Sequence, residues 1–83
     1  MQGKKQRAAK PISAAHQKFG QRVRQLRGQK SWSQEGFAHE GSLGRSFTGA
    51  IERGEKDVRL STLLKLAKTL GVSLSQLLKG VDS

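Results

Sequence analysis

None of the 83 residues is cysteine, which excludes a disulfide framework and a thiolate metal site and is compatible with a reducing cytoplasm. No apolar run approaches the roughly 20 residues needed to cross a bilayer, and the first residues lack the apolar stretch of a secretory signal. These absences point to a soluble, cytoplasmic protein with no membrane partner. Acids are scarce and scattered, and the two histidines, His16 and His39, show no metal-ligand spacing. The chain therefore offers no catalytic constellation and no metal or cofactor site, and reads as a non-enzyme. No strand is legible, so its glycines do not form the phosphate-cradling loop that follows a strand.

What is abundant is positive charge: sixteen Lys and Arg against six Asp and Glu leave a formal net charge of +10, the footprint of a protein that neutralises a polyanion. At this length there is room for one domain with one small core. Three stretches divide it. Residues 1–11 carry Lys4, Lys5, Arg7 and Lys10 with almost nothing apolar, and read as a flexible basic arm. Residues 12–79 hold the helical patterns, and 80–83 form a short C-terminal tail.

Helical periodicity accounts for the middle of the chain. Pro11 and Ser13 mark entry to a first helix with Ile12, His16, Phe19, Val23 and Leu26 on one face, ended by Gly28. Ser33 opens a second, with Trp32 placed to pack on Phe37 as a hydrophobic staple. A third runs from about Gly44 to Arg53, and residues 55–59 form a loop. Leu60, Leu63, Leu66, Ala67 and Leu70 make a fourth, closed by Gly71. Ser73 and Gln76 form a capping box for a fifth, with Val72 stapled onto Leu77. The predicted core is Phe19, Val23, Leu26, Phe37, Ala38, Leu43, Thr48, Ile51, Leu60, Leu63, Leu66, Ala67, Leu70, Val72 and Leu77. The fold class is all-α.

The segment from Ser31 to Gly54 carries the functional argument. Residues 40–43 are too short for anything but a turn, and a turn this short crosses the two flanking helices steeply, which leaves the second free to enter a groove. On that helix, at about 100° per residue, Gly44, Thr48, Ile51 and Glu52 share one side, and Ser46, Gly49, Ala50 and Arg53 the other. Arg45 sits at the helix N-terminus, where its guanidinium fork matches guanine O6 and N7. Ser46 is a weaker reader, and Gly49 allows close approach of the backbone to bases. Gln34, at the start of the second helix, is placed to bond a phosphate beside free amides. Arg22, Arg53 and Lys56 are further phosphate neutralisers.

The fragments FGQRVRQLR, WSQEGFA, GRSFTGAIERGE and LSTLLKLAKTLGVSLSQLL, in this order over about Phe19 to Leu78, resemble the Cro/C1-type or xenobiotic-response-element family of helix-turn-helix regulators, particularly its small restriction–modification controllers. The resemblance implies a compact five-helix lambda-repressor-like domain. It implies that Gln34 binds phosphate, that Arg45 and Ser46 read bases, and that Arg27 and Glu52 form a buried ion pair tying the first helix to the third. The chain departs from the family at Gly36, which replaces a better helix former and weakens the second helix by roughly 1 kcal/mol relative to alanine. It departs at Thr48, where an aliphatic residue is usual. It departs also at Ser42, where the family's left-handed glycine implies either strain at the serine or a shift of the turn onto Gly41.

The expected function is a sequence-specific, double-stranded-DNA-binding transcriptional regulator, a nucleoid-associated repressor or activator that binds a palindromic operator as a homodimer. Its dimer surface is expected at Leu64, Leu74 and Leu78, the apolar surplus of the last two helices. Two rivals share the fold: an antitoxin whose DNA binding is modulated by a toxin partner, and an adaptor that uses the fold to bind proteins, for which the apolar Gly49 and Ala50 on the reading face are the supporting feature. RNA polymerase is a further possible partner. If the arm lies along phosphates, deleting residues 1–10 leaves base preference intact. It also flattens the plot of log affinity against log salt by up to about 0.9 for each phosphate that the arm neutralises. An unchanged slope and intercept in an anisotropy titration would make the arm a bystander.

Overall fold

Three helices begin on a serine whose hydroxyl accepts an otherwise unpaired first-turn amide: Ser13 from His16, Ser33 from Gly36 and Ser73 from Gln76. The computed structural model describes residues 10–83, so the arm expectation for residues 1–9 lies outside the described part. Within it the helices are α1 (Ala14–Gln29), α2 (Gln34–Glu40), α3 (Arg45–Glu52), α4 (Leu60–Leu70) and α5 (Leu74–Leu77). No strand occurs among the described residues, and no helix there is long and apolar enough to cross a membrane. The all-α reading therefore stands.

Local signals place most boundaries. Trp32 stacks on Phe37 with ring centroids 6.1 Å apart, fixing the angle at which the chain enters α2. Gly71 closes α4 in the left-handed region at φ 72°, and Ser73 with Gln76 completes both halves of a capping box at α5. Gly28 does not end α1, which continues to Gln29; the chain turns away through Ser31 at φ 59° instead. In the α2–α3 turn the left-handed residue is Ser42 at φ 53°, while Gly41 keeps a negative φ of −91°. The turn stays at Ser42, a mildly unfavourable conformation held by a hydrogen bond from the Leu43 amide to the Ala38 carbonyl at 2.7 Å.

All five helices contribute to one core: Phe19, Val23 and Leu26 of α1, Phe37 of α2, Ile51 of α3, Leu66, Ala67 and Leu70 of α4, and Leu77 of α5. Thr48 is fully buried without penalty, because its hydroxyl donates to the Gly44 carbonyl at 3.0 Å one turn back. Leu60 is a correction to the predicted core. It is the first residue of α4 and 61% exposed, since the chain has not yet reached the core there. Ile12 is also outside, 53% exposed ahead of α1. Within residues 80–83, Val81 packs against the core.

Helices α1 and α3 approach backbone to backbone. A Cβ on Gly20 of α1 would lie 2.4 Å from the Glu52 carbonyl oxygen and 2.6 Å from that of Ile51, so α3 rests directly on α1 at this point. Gly54 extends the contact. It takes φ +77° just past α3, and a Cβ there would lie 2.8 Å from Cα of Gln17. Gly20→Ala should therefore destabilise the domain by about 2 kcal/mol through forced separation of the helices, lowering Tm by roughly 10 °C. Gly28→Ala should instead stabilise by up to about 1 kcal/mol, because it is helical and meets nothing within 4 Å. Thermal melts of the two variants check the opposite signs.

Candidate nucleic-acid interface

The exposed surface of α3 is shorter than its length suggests. Thr48, Gly49, Ala50, Ile51 and Glu52 are all buried, and only Arg45 and Ser46 at its start are exposed, with Phe47 half-buried beside them. Gly49 and Ala50 are buried because α3 is embedded between α1 and α2, and what they offer a partner is the floor of shallow depressions rather than a projecting side chain. Burial of these two residues also removes the feature that favoured a protein-binding adaptor.

Gln34, Arg45, Ser46, Gly49 and Arg53 line one open depression where the start of α2 meets the start of α3. Gly49 forms part of its floor. A Cβ there would sit 3.1 Å from Nη1 of Arg53 and 3.5 Å from Oε1 of Gln34, so the missing side chain leaves room for these two. A second depression, lined by Ser46, Phe47, Ala50, Arg53, Glu55 and Lys56, continues the surface along the other flank of α3. Sequence reasoning did not single out Phe47, although an aromatic residue in the first turn of α3 was its available signal.

Beneath the first depression lies a buried ion pair. Arg27 donates from Nε to Oε2 of Glu52 at 2.7 Å and from Nη2 to Oε1 at 3.0 Å, and its Nη1 donates to the Trp32 carbonyl at 2.8 Å. Gln34 Nε2 donates to Oε1 of Glu52 at 3.0 Å. The Glu52 side chain is only 3% exposed. Its hydrogen bond to Arg27 and its charge, opposed by burial, hold the guanidinium above its ordinary pKa. A raised value for a base gives stability that is complete below the ordinary guanidinium range and lost only above it, so this contribution is constant across neutral pH.

The remaining basic residues divide. Arg22 does not join the depression: its Nε and Nη2 donate to the Gln76 carbonyl at 2.9 and 2.8 Å and its Nη1 to Gln25, which ties α1 to α5. Arg53 borders both depressions while donating to both carboxylate oxygens of Glu55, at 3.0 and 3.3 Å. Lys56 is exposed. Among the described residues there is no group of three or more His, Cys, Asp or Glu able to hold a metal ion.

Removing one member of the buried pair leaves the other uncompensated. Glu52→Ala should cost about 3 kcal/mol in urea unfolding, whereas replacing both, Arg27→Met with Glu52→Leu, should stay within about 1 kcal/mol of the parent.

Comparison with known proteins places this geometry. Over residues 23–77 the chain matches the family model described as Helix-turn-helix, HTH_3. It is 48% identical over 61 residues to the control protein C.BamHI of Bacillus amyloliquefaciens, covering 72% of this chain and 75% of that one. Its fold is similar to the crystal structure of the restriction–modification controller C.AhdI from Aeromonas hydrophila, with a TM-score of 0.75 and 45% identity over 78% of this chain and 98% of that one. It is also similar to the controller C.Esp1396I, solved as a tetramer with its natural 35 base-pair operator, with a TM-score of 0.73 and 25% identity over 86% of this chain and 99% of that one. With four matching sequence fragments, a short turn between α2 and α3 and the start of α3 projecting from the surface, the chain belongs to the HTH_3 family of Cro/C1-type helix-turn-helix proteins.

Proposed function

We propose that this protein is a sequence-specific transcriptional regulator of the controller type, which acts as a homodimer on a palindromic operator and works by occupancy rather than catalysis. The observation that carries the reading is the depression shared by the starts of α2 and α3, where Arg45, Ser46, Gln34 and Arg53 converge on a surface of a strongly basic chain. A helix start that projects from the body can enter a major groove, and the neighbouring helix start then meets the flanking phosphates. The relatives agree: one is a control protein by name, and another was solved on its operator.

Within this reading Arg45 takes the base edge and Ser46 a base or phosphate. Gln34, Arg53 and Lys56 take phosphates. Arg22 is left out, since its guanidinium is already bonded to Gln76 and Gln25. Gly49 supplies space rather than a contact. Its site of action is DNA in the cytoplasm. Because few side chains reach the bases, part of the specificity falls to the shape of the DNA.

Duplexes selected from a random pool by the protein should yield a two-fold symmetric consensus. Arg45→Ala should lose about 1 to 3 kcal/mol of specific binding and relax one base pair per half-site, while Gln34→Ala should weaken all sequences alike. An Arg45→Ala protein that selects the parent consensus at full strength would remove Arg45 from the readout.

The leucines expected at the dimer surface differ in exposure. Leu74 and Leu78 are half-buried and pack against the core of their own chain, whereas Leu64 is 52% exposed and Leu60, one turn earlier on α4, is 61% exposed. We place the dimer contact on this α4 stripe. Leu60→Glu combined with Leu64→Glu should give a folded monomer in sedimentation with weakened operator binding, and an unchanged dimer would put the contact elsewhere.

A further inference from the structure

Glu52 is buried, has no path to DNA and carries the charge that DNA repels, yet one of its oxygens is spent on Gln34 rather than wholly on Arg27. That hydrogen bond settles which way the Gln34 amide points. Only its nitrogen can donate to a carboxylate, so Nε2 is turned inward to Oε1 of Glu52 at 3.0 Å, and Oε1 of Gln34 lies over Gly49. The amide nitrogen has two hydrogens. One is held by Glu52, and a planar amide held in this way has its other N–H in a fixed direction. Gln34 is half-buried and borders the depression, so this second N–H belongs to a side chain that DNA can reach.

From this arrangement we infer that Glu52 is a positioning residue for the DNA backbone: it fixes the Gln34 amide so that the free N–H is presented to a phosphate oxygen, and Arg27 cancels the carboxylate charge that would otherwise oppose the phosphate. The inference rests on the DNA-binding reading above. A free glutamine must lose rotamer freedom and choose between two amide orientations when it binds, and a clamped one has done so already. Donation to an anionic acceptor also polarises the amide and strengthens what its second N–H gives. Gly49 borders the same device: a Cβ there would lie 3.1 Å from the Arg53 guanidinium and at ordinary contact distance, 3.5 Å, from Oε1 of Gln34.

The test is a cycle between Gln34→Ala and the paired replacement Arg27→Met with Glu52→Leu, read by fluorescence anisotropy on a random-sequence duplex of about 20 base pairs at several potassium chloride concentrations. Each change alone should weaken binding about tenfold per subunit, as expected for one hydrogen bond to a charged group. All three substitutions together should weaken it by no more than about twofold beyond either, because both remove the same phosphate interaction. Losses that multiply to about a hundredfold would make the ion pair a structural element only and overturn the inference, as would a paired replacement that binds like the parent. Circular dichroism melts confirm that the variants fold. If the paired replacement unfolds, Arg27→Met with Glu52→Met, which keeps the length of both side chains and removes the acceptor, takes its place in the same cycle with the same two readings. In the parent's NMR spectrum one side-chain amide proton of Gln34 should exchange slowly and lose that protection in the paired replacement, which has no acceptor at position 52; equal, fast exchange of both protons in the parent would also overturn the clamp. A parent that binds no duplex at all would instead sink the DNA-binding reading.

Discussion

The Arg27–Glu52 pair joins the three helices on which the interface depends. Arg27 comes from α1, Glu52 from the end of α3, and the same guanidinium reaches the Trp32 carbonyl just ahead of α2 while the carboxylate reaches Gln34 at its start. Burial makes the pair consequential. A charge withdrawn from water is tolerated only where its partners satisfy it, so the geometry that satisfies Arg27 and Glu52 together is also the one that sets α2 against α3. The ion pair thus contributes less to net stability than to a single relative placement of the helices.

Steric exclusion then limits how α3 can sit. Gly20 and Gly54 let its C-terminal end lie on the α1 backbone, closer than any side chain would permit. With that end pressed inward, five consecutive residues of α3 are buried and its first turn is left projecting. The same inward end places Glu52 where Arg27 can meet it. Packing and electrostatics therefore select one pose, and that pose presents Arg45 and Ser46 to solvent.

Charge is divided by position rather than by residue type. Arg22 holds α5, Arg27 holds Glu52, and Arg53 is braced by Glu55, so three arginines serve the fold in whole or in part. A net charge of +10 still favours association with a polyanion at long range, with a strong dependence on salt. Under the proposed function, discrimination among sequences would fall to the few groups whose geometry is fixed at the mouth of the depression.

The sequence by itself determined the local structure. Serines before apolar runs, Trp32 before Phe37, Gly71 after Leu70 and the Ser73–Gln76 box start and stop helices through contacts within a few residues, so five helices and most of the core are legible without a fold. Leu60 and Gly28 escaped this reading. Periodicity assigns a face but not the point at which a helix reaches the core, and a glycine inside a long helix can be carried by its neighbours. What only the tertiary structure decided is which polar groups remain free. Arg22 and Arg45 are the same residue type on helices of the same basic chain, and a bond to Gln76, 54 positions away, separates them. Gly49 and Ala50 looked exposed on a single helix and are buried by its neighbours, and Leu74 and Leu78 are half-buried where α5 packs on the core. Each difference depends on approach between segments distant in sequence, and helical periodicity carries no information about which neighbour will arrive.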